Sequence, residues 1–346
     1  MKIPLLPRLG GCILIAGCVM TYAAAAWAAG PEQQGGVIRA DGSSTVYPIS
    51  EAVAEEFGKV NKGTRVTVGI SGTGGGFKKF CAGETDISDA SRPIKAAEIE
   101  LCRTNGIEYV ELPVAYDALT VVINPANNWA ASMTVKDLQK LWAPEAQGTI
   151  MKWSDLNPAW PDKKISLYGA GVDSGTYDYF TEAIVGKEHS SRGDFTGSED
   201  DNMLVQGVAN DKYALGFFGL AYYLENSSRL RAVAIDDGNP ANGDGPQLPS
   251  TETVVKGTYQ PLARPLFVYV SIRALERPEV KNFMEYYVKN AGKLAGEVGY
   301  IPLQDSVYKL AALRLGHRTT GTVFTKGVSL VGMTLEQLFR HEGQAG

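Results

Sequence analysis

Apolar and polar positions alternate along this chain in two rhythms, and the rhythms change places several times. Val37–Ala40 reads as a short strand, and Thr64–Ile70 alternates as a second one. Between them, Ile49, Val53, Ala54 and Phe57 recur at helical spacing, so the pattern predicts a helix from Tyr47 to Phe57. Further helices are expected at Phe77–Ala82 and around Glu98–Leu101. Two strongly apolar, β-branched runs, Ala118–Ile123 and Pro265–Val270, read as buried strands. A complete second alternation lies between them. It has helices at Val135–Leu141, Tyr177–Ile184 and Asn202–Asn210, and strands at Ile165–Tyr168 and Leu215–Phe218. Helices at Pro278–Val288 and Leu303–Leu315 follow the last run. Residues 236–250 are dense in Gly, Pro, Asn and Asp and are expected to form a surface loop. Strand, turn and helix in repetition define an α/β class. The apolar runs suggest two crossings between two lobes. Lobe 1 would be discontinuous, residues 37–117 plus 266–346, with residues 118–265 inserted as lobe 2.

The N-terminus breaks both rhythms. Lys2 and Arg8 precede an apolar stretch from Leu9 to Tyr22, then an alanine-rich segment ending in Ala26-Trp27-Ala28. That order reads as a signal peptide over residues 1–28 with cleavage after Ala28, followed by a linker at 29–36. A competing reading takes Ile15-Ala16-Gly17-Cys18 as a lipobox and leaves a lipid anchor on Cys18. Either way the protein is expected outside the cytoplasm, in the periplasm or its equivalent. Cys12 and Cys18 belong to the leader, so cleavage after Ala28 leaves Cys81 and Cys102. An even pair in an exported chain predicts one disulfide; the alternative is two separate thiols.

Composition narrows the chemistry. The chain has 33 Lys+Arg against 38 Asp+Glu, a formal charge of −5. Loss of the leader removes two basic residues and leaves −7. Such a balance argues against a general nucleic-acid binder. The three histidines, His189, His317 and His341, are too scattered to predict a metal centre. No P-loop, dinucleotide fingerprint or nucleophile elbow is present, and neither a cofactor nor catalysis is expected.

Four polar clusters stand out, each placed just before a predicted helix. They are Asp41-Gly-Ser-Ser-Thr45, Ser71-Gly-Thr-Gly-Gly-Gly76, Asp86-Ile-Ser-Asp-Ala-Ser-Arg92 and Asp173-Ser-Gly-Thr176. A helix start offers free N–H groups and a favourable dipole, hydroxyls add donors, and glycine admits close approach. One such cluster is usually only a helix cap. Four of them suggest a shared oxyanion site.

Extended to Asp41–Pro48, Ser71–Lys78, Asp86–Pro93 and Asp173–Thr176, these motifs resemble those of the phosphate-binding component of bacterial high-affinity phosphate ABC transporters. The similarity runs in order from about Ile38 to about Pro302. It implies a two-lobed periplasmic-binding-protein fold of type II, joined by two hinge strands, with inorganic phosphate in the cleft. It also implies a membrane permease as partner, and a monomer is expected. Carried over by motif, the ligand set would be Ser44, Thr45, Ser71, Thr73, the Gly74 amide, Ser91, Arg92, Ser174, Gly175 and Thr176. The chain departs from the family in two places. Ser91 stands where many members have aspartate, which leaves Asp173 and Asp89 as candidate proton acceptors. No arginine precedes Ser174, so Arg92 is expected to supply the cation, with Arg192 a weaker candidate. A carboxylate in the site would discriminate against fully ionised sulfate. Binding of sulfate or molybdate is the neighbouring alternative, and a phosphatase-like hydrolase a more distant one.

Overall fold

The computed structural model describes residues 36–172, 174–198, 200–324 and 335–345. The leader, the cleavage site, Cys18 and nearly all of the linker lie outside the described residues, as does Asp173. The described residues belong to a single compact unit, Gly35–Gly346.

The strands are β1 (Val37–Gly42), β2 (Arg65–Ile70), β3 (Ile87–Ala90), β4 (Tyr109–Ile123), β5 (Ser132–Thr134), β6 (Ser166–Ala170), β7 (Thr196–Ser198), β8 (Ala214–Gly219), β9 (Arg231–Ala232), β10 (Ala234–Asp236) and β11 (Ala263–Ser271). The helices of the first half are α1 (Tyr47–Val60), α2 (Gly72–Cys81) and α3 (Ala96–Thr104). Then come α4 (Val135–Trp142), α5 (Trp153–Leu156), α6 (Gly175–Phe180), α7 (Asp201–Asn210), α8 (Leu220–Glu225) and α9 (Thr251–Val255). The chain closes with α10 (Pro278–Glu297), α11 (Asp305–His317) and α12 (Leu335–Ala345).

One sheet of mixed direction runs in the order β2-β1-β3-β11-β4-β8-β6-β7, with β9 also paired to β4. The long strand β4 carries the chain from one half of the sheet to the other. Its residues Tyr109–Ala118 pair antiparallel with β11, and Leu119–Ile123 pair antiparallel with β8. The sequence pattern showed only the second part of β4. All fifteen positions of β4 are buried, so no alternation marks it, and Pro113 argues against a strand. Pro113 is accommodated at an irregularity: Leu266 pairs with Ala115 but Phe267 with Pro113, which leaves Val114 without a partner on β11.

In the first half, α1 lays Ile49, Val53 and Phe57 into a core shared with α10, where Phe57 meets Phe283 edge-on at 5.2 Å. Burying side chains of this size contributes about 1.5–3 kcal/mol each, which fixes α1 and the turn that leads into it. Helix α2 covers the other side of the sheet, with Phe77 and Phe80 fully buried. Its close seating depends on Gly76, because a Cβ there would stand 2.6 Å from the Gly42 Cα and 2.9 Å from the Asp41 carbonyl. The expected disulfide is present: Cys81 and Cys102 join the end of α2 to α3, with Cα atoms 4.3 Å apart.

Candidate functional site

The Ser/Thr/Gly clusters of the first half sit where parallel strands β1 and β2 end beside β3. Strand β1 pairs with both neighbours, so the segments that follow the three strands emerge side by side at one edge. The first turn is pinned by the Ser43 N–H, which donates to the Asp89 carbonyl at 2.9 Å, and by Tyr300, whose hydroxyl donates to the Thr45 carbonyl at 2.6 Å. Ser71 donates to Asp41, which also pairs with Lys79 at 2.8 Å. The Gly-rich cluster is itself the first turns of α2 rather than a loop before it. Its leading N–H groups therefore have no intrahelical acceptor.

A cavity of about 410 Å³ opens at this edge. Ser44, Thr45, Ser71, Thr73 and Ser91 all line it. Thr73 and Ser91 are hydroxyl to hydroxyl at 3.0 Å, and the Ser91 N–H donates to Thr73 Oγ1 at 3.2 Å. The opposite wall comes from the second half, through Val172, Asp178, Glu188 and His189. The two walls touch. Ser44 donates to Asp178 Oδ2 at 3.3 Å, and Thr45 donates to the Gly175 carbonyl at 3.4 Å. Gly175 admits this approach, since a Cβ there would lie 2.8 Å from Thr45 Oγ1 and 2.9 Å from the Thr45 amide nitrogen. Ser174 caps α6 by accepting from the Thr176 N–H at 3.2 Å. Residues 174–176 thus begin a helix at the cleft but are not among the cavity's lining residues, which resume at Asp178.

The cation at this cavity is Arg264. It lies on β11 opposite Asp117 of β4, at the point where the strands cross between the halves. Its guanidinium donates to Thr45 Oγ1 at 3.2 Å, approaches Asp117 at 3.4 Å and Glu182 at 3.5 Å, and lies 3.6 Å above the Tyr179 ring. Burial raises the proton affinity of Asp117, and Arg264 opposes the shift. Arg92 is engaged elsewhere. Its two terminal nitrogens grip Glu98 at 2.8 and 2.9 Å, it packs over Phe77, and it does not line this cavity. Gly74 sits beside that guanidinium in α2, so a Cβ there would stand 3.9 Å from Arg92 Nη2. Arg192 is a structural residue, 2% exposed and bonded to Asp194 and to the Leu141 and Ile150 carbonyls.

Of the two candidate acceptors within reach of the sequence motifs, Asp89 faces away. Its carboxylate accepts from Ser50 of α1 at 3.0 Å and is not part of the cavity wall. Burial pushes its carboxyl up to about 7, the Ser50 bond opposes this, and Asp41 adds to it. Two carboxylates do face the cavity, Glu188 and Asp178, and Asp178 is the one that meets the first half through Ser44, with His189 Nδ1 at 3.1 Å. Arg264, Asp178 and His189 were all missed from sequence. Asp178 carried the only local signal, a carboxylate one helical turn beyond Ser174 on the same face. Among the described residues no group of three or more His, Cys, Asp or Glu side chains could hold a metal ion.

A mixed sheet crossed by two strands, with strand-to-helix turns from both halves meeting over a small polar cavity, defines a fold of the periplasmic-binding-protein type. The PBP superfamily domain matches residues 28–291, and the chain belongs to that family. It is 51% identical to Protein SphX of Synechococcus elongatus, over 90% of each chain. It is 36% identical to the phosphate-binding protein PstS of Staphylococcus saprophyticus, over 79% of this chain and 82% of that one. The crystal structure of a possible phosphate binding protein from Planctomyces limnophilus superposes with a TM-score of 0.78 at 48% identity, covering 82% of this chain and 99% of that one.

Proposed function

We propose that this protein captures inorganic phosphate between its two halves, outside the cytoplasm, and passes it to the permease of an ABC transporter. It acts by binding and release, without turnover. The observation that carries this reading is convergence: hydroxyls from three separate turns and the Arg264 guanidinium surround one cavity between the halves. A tetrahedral oxyanion needs donors on all sides, and relatives named for phosphate binding share this chain over most of its length.

In this reading Ser44, Thr45, Thr73 and Ser91 donate from the first half, together with the Gly74 amide, and Ser71, whose hydroxyl donates to Asp41, holds the second turn in place. Ser174, Gly175 and Thr176 complete the shell from the second half as it closes. Arg264 supplies the positive charge in place of Arg92. Asp178 takes the hydrogen bond from a protonated phosphate oxygen and repels an anion that has no proton to give. Lobes of 37–117 plus 266–346 and of 118–265 move about β4 and β11, and ligand contacts on both walls favour the closed state. The active form is a monomer that meets the permease through the lobe rims.

Calorimetric titration of phosphate-free protein with phosphate, sulfate and molybdate tests this. Sub-micromolar phosphate binding with no heat from sulfate is the expected result. Tighter binding of sulfate or molybdate would overturn it.

A further inference from the structure

Behind the anion turn stands a buried carboxylate that the ligand shell does not use. Asp89 is fully buried on β3, and among the described residues its Oδ2 has no hydrogen-bond partner. Its Oδ1 accepts from Ser50, whose hydroxyl lies 2.9 Å from the Tyr287 hydroxyl of α10. Its main-chain carbonyl accepts the Ser43 N–H, so the turn that lines the cavity rests directly on this residue. Strand β1 brings Asp41, whose charge is shared with Lys79. Helix α1 brings Ser50, and α10 brings Tyr287, whose ionisation burial pushes far out of range. Its β11 neighbour is Val268, which carries no charge. Among the described residues, none of these neighbours is a cation placed to neutralise Asp89.

We propose that phosphate capture is coupled to protonation of Asp89. The inference rests on the phosphate reading of the cavity. Negative charge held against the Ser43–Thr45 turn raises the cost of a carboxylate buried behind it. Taking up one proton relieves that repulsion, and the unpartnered Oδ2 is the atom that receives it. Asp89 is then a charge-setting residue that touches no ligand atom. It weakens phosphate binding as pH rises, because at higher pH the free protein carries the charge that must be neutralised.

The test is calorimetric titration of phosphate into the wild type and Asp89→Asn in buffers of differing ionisation enthalpy. The ligand's own protons and those of other residues are common to both proteins, so the difference isolates Asp89. At about pH 7 the wild type should absorb about half a proton more per phosphate than the variant. Asp89→Asn should bind phosphate severalfold tighter at about pH 8, and the difference should vanish on acidification. Infrared difference spectra of the wild type, which need no variant, should gain a protonated-carboxyl band on phosphate addition. Equal proton counts in the two proteins, or a wild-type spectrum without that band, would overturn the inference while leaving phosphate capture intact. No heat from phosphate in either protein would overturn both.

Discussion

Replacing Arg264 by glutamine removes the guanidinium that, among the described residues, lines the cavity, and keeps most of its length. The charge that Arg264 can offer a ligand is already shared. Asp117 at 3.4 Å and Glu182 at 3.5 Å each draw on it, so the ligand gains a charge-assisted hydrogen bond rather than a bare ion pair. Bonds of that type contribute about 1.5–3 kcal/mol, which predicts phosphate affinity about ten- to a hundredfold weaker. The substitution also strands Asp117, 4% exposed, without its cation. That carboxyl will take a proton, and some thermal stability will be lost. Kd is therefore read by calorimetry at a temperature where melting curves show the variant folded. The companion is Arg92→Gln, whose guanidinium is committed to Glu98, and its Kd should stay within about twofold of wild type. A folded Arg264→Gln that binds normally, beside an Arg92→Gln that does not, would refute the assignment and return the cation's role to Arg92.

Four further outcomes are expected. Asp178→Asn should admit sulfate in competition with phosphate, because an amide can donate where the carboxylate could only accept; unchanged discrimination in the same titrations would remove Asp178 from the selectivity step. Gly76→Ala should destabilise by about 1–3 kcal/mol in denaturant unfolding, since its Cβ would press on the β1 backbone rather than on a side chain that could swing away. Replacing both Cys81 and Cys102 by alanine should cost about 3 kcal/mol for a bridge spanning 21 positions, read as a lower urea midpoint. Burial holds a proton on Asp89 in the folded chain at pH values where the unfolded chain has released it, so this group's contribution is complete in acid and is lost as pH rises towards about 7. Asp89→Asn should accordingly lose less stability than wild type between about pH 5 and about pH 8, as melting curves will show.

The parts of this molecule that could be read from the chain are those whose cause is local. A Ser/Thr/Gly cluster ahead of a helical pattern states its own chemistry, so Ser44, Thr45, Ser71, Thr73 and Ser91 were named as candidates before any geometry, and all five line one cavity. Strand β3 was hidden because Ser88 and Asp89 are polar yet fully buried, and the segment reads as one more turn. The first part of β4 was hidden by burial on both faces and by Pro113. Arg264 was beyond sequence reasoning for a different reason. It reaches Thr45 across 219 positions, and only the pairing of β11 with β4 brings it there. An arginine beside an apolar run has no local mark to separate it from any other. Arg92, by contrast, adjoined a motif and drew attention for that reason alone.

The place of Arg264 on the crossing strand has a kinetic consequence. A cation borne on either half would swing away from the other wall each time the halves part. One borne at their junction stays near the pivot, where a rotation displaces it least. If the halves move as proposed, its contact with Thr45 would outlast the contacts of Ser44 with Asp178 and of Thr45 with Gly175. In the proposed reading an arriving anion would meet Arg264 and the first-half hydroxyls in one step, whatever the angle between the halves. Closure would then govern how long the ligand stays and have little part in whether it is first caught.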